Sequence, residues 1–369
     1  MMEDTQRKAP RCLAALAASI CLVAHAQEQG QHESQPQEED KGAMAQHARS
    51  PWLLVPLVSS GPKLGTSVGA MGAYIHRFDE ASPPSLIGVQ AKYSNTGSST
   101  VGAGGKLYFN EDRDRVVVGM AGGKATNDYL DFLGTGLEVH DDEQIRGYFL
   151  RYQHRVMPHL YLGVQAVRSN YGVDGVDVLS DQILDEAGIT GVDAAGLGIA
   201  LSYDSRDNQH NPSSGAYAQL YNVAFRESLG GDVSYDVYNA DWRWYVRTGE
   251  NNVVALHASA RWTHDAPASR EATVQMRGYT RGQYLGKNSL AFEAENRYMF
   301  RPQWGGKVFA GATCLYGDGK SCSGDNLYPM AGLGAFYIIK PKENMLVSVD
   351  YAKGSGDNHG FYIRFGHSF

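Results

Sequence analysis

Residues 253–263 read Val-Val-Ala-Leu-His-Ala-Ser-Ala-Arg-Trp-Thr, and every second side chain in that run is apolar. Val254, Leu256, Ala258, Ala260 and Trp262 point one way, and His257, Ser259, Arg261 and Thr263 point the other. A period of two belongs to a strand with two unlike faces. The preceding stretch repeats the pattern, with Tyr238, Ala240, Trp242 and Trp244 opposing Asn239, Asp241, Arg243 and Tyr245. Near the end, Met345, Val347, Val349 and Tyr351 oppose Leu346, Ser348 and Asp350. A soluble sandwich alternates too, but its apolar face is richer in Leu and Ile, and its outer face lacks Trp and Tyr at strand ends. Lipid outside and water inside give the pattern seen here.

Working outward from that run, units of about ten alternating residues and a turn fill 51–369. They predict strands near 52–60, 65–78, 86–95, 99–109, 113–123, 144–156, 159–170, 195–205, 215–226, 232–246, 251–263, 288–300, 305–316, 328–338, 344–353 and 358–369. That is an all-β, transmembrane antiparallel β-barrel with sixteen strands, an even number as bacterial barrels use. Turns before odd strands are mostly short, as at Met157-Pro158 and 341–343. Several after odd strands are long: 124–143, 171–194, 264–287 and 317–327. Short inner turns and long outer loops place both the N- and C-termini in the periplasm.

The start of the chain reads as an export signal. Arg7, Lys8 and Arg11 precede the apolar run Cys12–Ala24, and Ala24-His25-Ala26 supplies the small-x-small cleavage pattern, so 1–26 is expected to be removed. Residues 27–50 are Gln- and Glu-rich with little to bury, which predicts a disordered periplasmic tail. No later segment is apolar for the roughly 20 residues a membrane helix needs, and in lipid only helices and closed barrels satisfy the backbone. The 43 Gly and 22 Tyr suit tightly twisted strands with interfacial aromatic girdles.

Two of the four cysteines leave with the signal. The remaining pair, Cys314 and Cys322, flank Gly317-Asp318-Gly319-Lys320, and in an oxidising compartment they read as a disulfide stapling a hairpin loop. A net charge of −7 argues against nucleic-acid binding. No nucleophile elbow, metal-ligand spacing or cofactor motif appears, so neither enzyme activity nor a cofactor is expected. The acidic stretch with Asp174, Asp177, Asp181, Asp185 and Glu186 lacks a calcium-loop spacing and reads as a solvated outer loop.

Three segments carry a family resemblance. Met276-Arg277-Gly278-Tyr279 lies between the eleventh and twelfth predicted strands. Tyr203-Asp204-Ser205-Arg206-Asp207-Asn208 precedes Pro212 and a strand-opening Gly215. Phe361–Phe369 alternates hydrophobics and ends on a Gly and a final aromatic. Together they resemble the BamA/TamA family of outer-membrane proteins, also called the bacterial surface antigen family, in a short form without periplasmic repeats.

The resemblance implies a loop folded into the lumen, with Arg277, Gly278 and Tyr279 as its motif and wall carboxylates holding the arginine. Glu295 matches the family's wall glutamate; Glu293 shares its face, and Asp241 is a further candidate. The family's Asp on strand thirteen stands here as Gly311. Asn358 to Phe365 fits the pattern read by outer-membrane insertion machinery, with Gly360, Ile363 and Phe365 as key positions and Phe369 as terminal aromatic. The implied function is protein translocation, outer-membrane assembly or transport, among outer-membrane lipids, with a polypeptide client or a periplasmic partner protein. The alternative is a passive pore or structural surface antigen without insertase activity.

Overall fold

The computed structural model describes residues 50–61, 65–129, 132–187, 189 and 191–369. The expected signal, nearly all of the tail and the Pro62-Lys63 break therefore lie outside the described residues. No helix among the described residues is long and apolar enough to cross a membrane.

Sixteen antiparallel strands close into one barrel. In chain order they are β1 (Trp52–Gly61), β2 (Gly65–His76), β3 (Ser85–Ser94), β4 (Ser99–Phe109), β5 (Asp114–Tyr129), β6 (Val139–Met157), β7 (Leu160–Gly175) and β8 (Ala194–Asp204). The second half is β9 (Gly215–Phe225), β10 (Tyr235–Gly249), β11 (Asn252–His264), β12 (Asn288–Met299), β13 (Trp304–Tyr316), β14 (Leu327–Lys340), β15 (Met345–Lys353) and β16 (His359–Phe365). Each strand pairs with its neighbours in sequence, and β1 pairs with β16 to complete the ring. The β10–β11 register sets Tyr238 opposite Trp262 and Trp244 opposite Leu256, all on the outer face. Both tryptophans and Tyr238 are exposed there, whereas Tyr245 and Ala255 are buried inside.

The structure corrects three boundaries. The expected loop 124–143 shrinks, because β5 runs on to Tyr129 and β6 starts at Val139. Polar pairs extend this ladder: Thr126 donates to Asp142 at 2.7 Å, Lys124 meets the same carboxylate at 2.8 Å, and Tyr129 donates to Glu143. These faces are polar on both sides, so hydropathy carried no signal for them. The expected solvated loop 171–194 instead holds the end of β7 and a helix, α1 (Val178–Glu186). Asp177 caps α1 by accepting from the Ser180 amide, which satisfies a backbone donor that the helix itself cannot. Lastly, β16 stops at Phe365 rather than running to Phe369.

β1 is apolar on both faces over residues 52–58. Trp52 and Leu54 are exposed outward. Leu53, Val55 and Leu57 are buried in a cluster against which Met71, Leu86, Ile339, Val347 and Phe365 pack.

Candidate functional site

The loop 265–287 between β11 and β12 folds into the lumen. Its stem is a two-residue pairing of Ala272 with Gly286 and Thr273 with Leu285. Its tip is anchored by Val274, Met276, Tyr279 and Tyr284, which form a buried cluster with Phe309, Leu315, Met330 and Ala352 of the wall. An inner wall of apolar patches among polar ones thus gives the loop a fixed seat.

Arg277 carries the loop's charge into the wall. One guanidinium nitrogen donates to Asp350 on β15 at 2.9 Å; the other donates to Glu295 at 2.8 Å and to Glu293, both on β12. Its plane lies over the Phe309 ring, 3.2 Å from the centroid, as a guanidinium on an aromatic face does. The carboxylates are shared. Arg297 meets Glu295 at 2.7 Å and Lys307 meets Asp350 at 2.8 Å. Three cations and three carboxylates therefore neutralise one another where every side chain is at most 6% exposed. Buried charges persist only when paired in this way.

The neighbours of Arg277 fix its angle. Gly278 sits at φ +88°, a conformation glycine adopts without steric cost, and a Cβ there would crowd the backbone of 353–354. Its amide donates to the Tyr362 hydroxyl at 3.0 Å. Tyr279 donates to the Pro329 carbonyl at 2.6 Å and accepts from the Ser355 amide at 2.9 Å. Gly360 leaves room for this arrangement, since a Cβ there would lie 2.2 Å from the Tyr362 hydroxyl.

Of the sequence candidates, Arg277 meets Glu293 and Glu295. Asp241 does not join them; it is taken by Arg243 at 2.7 Å and His257 at 3.0 Å. Sequence reasoning placed Asp350 on the inner face but missed its role, and it missed Lys307 and Phe309. At Gly311 a side chain could not replace the missing aspartate unaided, because a Cβ would lie 2.3 Å from the Phe292 carbonyl. Asp350 supplies the carboxylate from two strands further on.

At the chain's end Ile363 pairs with Val349 and Phe365 with Val347, on the outer face of β15. Phe369 departs from the expected alternation. Gly366, at φ +79°, turns the chain inward, and Ser348 donates to its carbonyl at 2.7 Å. The Phe369 ring then stacks on His257 at 4.8 Å, and its main-chain oxygen accepts from Arg297 at 3.1 Å. The terminal aromatic is a lumen residue.

Cys314, at the end of β13, is bonded to Cys322, with the Cα atoms 5.3 Å apart. Closing so short a loop removes about 2–3 kcal/mol of unfolded-state freedom. Cys322→Ser is expected to leave the barrel folded but make 317–326 sensitive to protease, read as a new cleavage band.

The Tyr203–Asn208 motif forms a turn locked by Asp204, which accepts from Arg206 at 2.8 Å and Arg115 at 2.7 Å. Beside it, burial together with Lys106 and Arg206 pulls the pKa of His210 down to about 4, against a backbone contact at Pro84. The folded pKa lies below the ordinary 6.5, so the unfolded chain binds more protons between the two values. Stability from this group is full above 6.5 and is lost as pH falls toward 4. Melting curves from pH 7.5 to 4 should therefore show a shallower acid loss for His210→Gln than for the parent.

With this geometry in hand, comparisons place the chain. The family model described as the Omp85 superfamily domain matches residues 147–369. A search of curated protein sequences finds no match. Among solved structures, BamA from Haemophilus ducreyi lacking POTRA domains 1–3 matches with a TM-score of 0.55 and 13% identity, covering 86% of this chain and 70% of that one. CdiB from Acinetobacter baumannii gives 0.57 and 10%, covering 86% and 60%, and CdiB from Escherichia coli gives 0.55 and 10%, covering 85% and 62%. This chain thus spans between about 60% and 70% of the proteins whose fold it shares. With more than half its length matched by the family model and a closed sixteen-stranded barrel, the chain belongs to the Omp85 superfamily and is one of its outer-membrane β-barrels.

Proposed function

We propose that this barrel moves polypeptide into or across the outer membrane by parting at the seam between β1 and β16. One observation carries the reading. β1 pairs with β2 along its whole length from Trp52 to Gly61, but with β16, among the described residues, only at Val58–Ile363, Ser59–Tyr362 and Ser60–Phe361. Each backbone hydrogen bond contributes only about 0.5–1.5 kcal/mol net, so a three-residue ladder opens far more readily than its neighbours. Among the described residues, 52–57 have no strand partner on that side, and such an edge is a template for a client's strand. The Leu53, Val55 and Leu57 cluster seals this half with side chains rather than hydrogen bonds, which suits reversible opening.

The loop-length asymmetry supports termini facing the periplasm, where a separate partner would deliver clients. Cysteines at 58 and 363, the positions that face each other across the seam, provide the test. Oxidised protein in liposomes should fail to insert a denatured barrel client that the reduced protein inserts; equal insertion by both forms would sink the reading. A second reading, a pore or surface antigen without insertase activity, is favoured by a cavity of about 530 Å3 against β2–β7, on the side the loop leaves empty.

A further inference from the structure

The inner wall holds charges that its carboxylates do not cover. Those that face inward from β8, β10, β12 and β15 are all engaged: Asp204 by Arg115 and Arg206, Asp241 by Arg243 and His257, and Glu293, Glu295 and Asp350 by Arg277, Arg297 and Lys307. Asp141 and Glu143 also point inward at the loop-bearing end, where Asn127 and Tyr129 donate to them.

Inward cations remain, among them Lys92 on β3, Lys106 on β4, Arg151 on β6, Arg261 on β11 and Arg364 on β16. Among the described residues none of these has a carboxylate within 4.0 Å. Arg151 donates to the neutral Gln165 and Gln219, Arg261 to the Arg270 carbonyl and Arg364 to Ser368. They also face one another's charge, with Lys92 near Arg364, Lys106 near Arg206 and Arg243, and Arg261 near Arg281 and Arg270. The whole chain carries −7, so this positive surplus is local to the lumen.

The surplus borders open space. Lys106 lines the cavity of about 530 Å3 whose other walls include Gln90, Gly102, Gly104, Ala121 and Ser169. Small side chains there leave a hollow against β2–β7, with an ammonium at its edge. Cations in a confined, low-dielectric channel raise the local concentration of anions and repel cations, and rings of Arg and Lys give pores their anion preference.

We propose that the lumen is an anion-selective passage for small anionic solutes, running beside the inward loop past Lys92, Lys106 and Arg151. The inference holds whether or not the seam parts, because it depends on the inner wall alone.

The full-length barrel in a planar bilayer under a tenfold potassium chloride gradient provides the test. The expected result is a reversal potential of the anion-selective sign, with chloride favoured over potassium by about threefold or more, as basic pore linings produce. Lys106→Glu with Arg151→Glu should reduce or invert that preference, while unboiled gel mobility reports that the barrel still folds. If the double variant misfolds, Lys92→Gln or Lys106→Gln alone should reduce the ratio. No conductance, cation selectivity in the parent, or a ratio unmoved by folded variants would overturn the proposal, and none of these outcomes bears on the seam cross-link.

Discussion

Arg277→Ala is expected to lower the barrel's stability by about 3–5 kcal/mol, the range for removing one partner of a buried ion cluster. Glu293, Glu295 and Asp350 would keep only Arg297 and Lys307, leaving an uncompensated negative charge where Glu295 and Asp350 are fully enclosed. The loop would also lose its stacking on Phe309. Arg277→Lys should recover only part of the loss. An ammonium is a compact point charge and cannot reach Asp350 on one side and both glutamates on the other while lying flat on a ring. The readout is the temperature at which the folded band disappears on an unboiled gel, expected to fall by roughly 5–10 °C. An unchanged temperature in Arg277→Ala would mean that the loop is held by its apolar cluster alone.

Locking the seam is expected to have the largest functional effect. Val58 and Ile363 are direct partners on adjacent antiparallel strands, so a disulfide between cysteines there asks for little backbone movement. A pair at 55 and 361 would not serve, because Phe361 lies opposite Ser60 and, among the described residues, Val55 has no strand partner on that side. The covalent bond leaves the other fifteen strand interfaces untouched, so the oxidised barrel should keep its heat-modifiable mobility. Client insertion should drop to the level of empty liposomes and return with reductant. A cysteine pair at 70 and 90, outward-phase and inward-phase positions away from the seam on β2 and β3, cannot bridge and serves as the control for the substitutions themselves.

The sixteen strands and their facing were legible in the chain because a membrane barrel writes its two environments into alternate residues. That is why 253–263 and 238–245 were readable without a structure. The β5–β6 extension was not, since outward Lys124, Thr126 and Asp142 and buried inward Asn127, Asp141 and Glu143 are all polar and carry no hydropathic contrast. The helix α1 was missed for a related reason: Asp177 looked like one of several scattered acids until its carboxylate was seen capping Ser180.

The lumen loop shows the same division. The motif Arg277-Gly278-Tyr279, and the two glutamates spaced to share a face of β12, could be found in one dimension. Asp350 and Lys307 could be placed on an inner face but not assigned to Arg277, because their meeting depends on how far the loop reaches across the lumen. The same depth handed Asp241 to Arg243 and His257. Phe369 belongs with these cases, since its alternation spoke for a lipid-facing strand end, and one positive φ at Gly366 sent it inside.

By itself, then, the sequence determined the strand number, the facing of each strand and the residues able to form a clamp, because burial in lipid constrains every second position locally. The partners within the lumen, the three-residue seam and the uncovered cations were decided by tertiary structure. Each depends on distances across a closed ring, which no local period records.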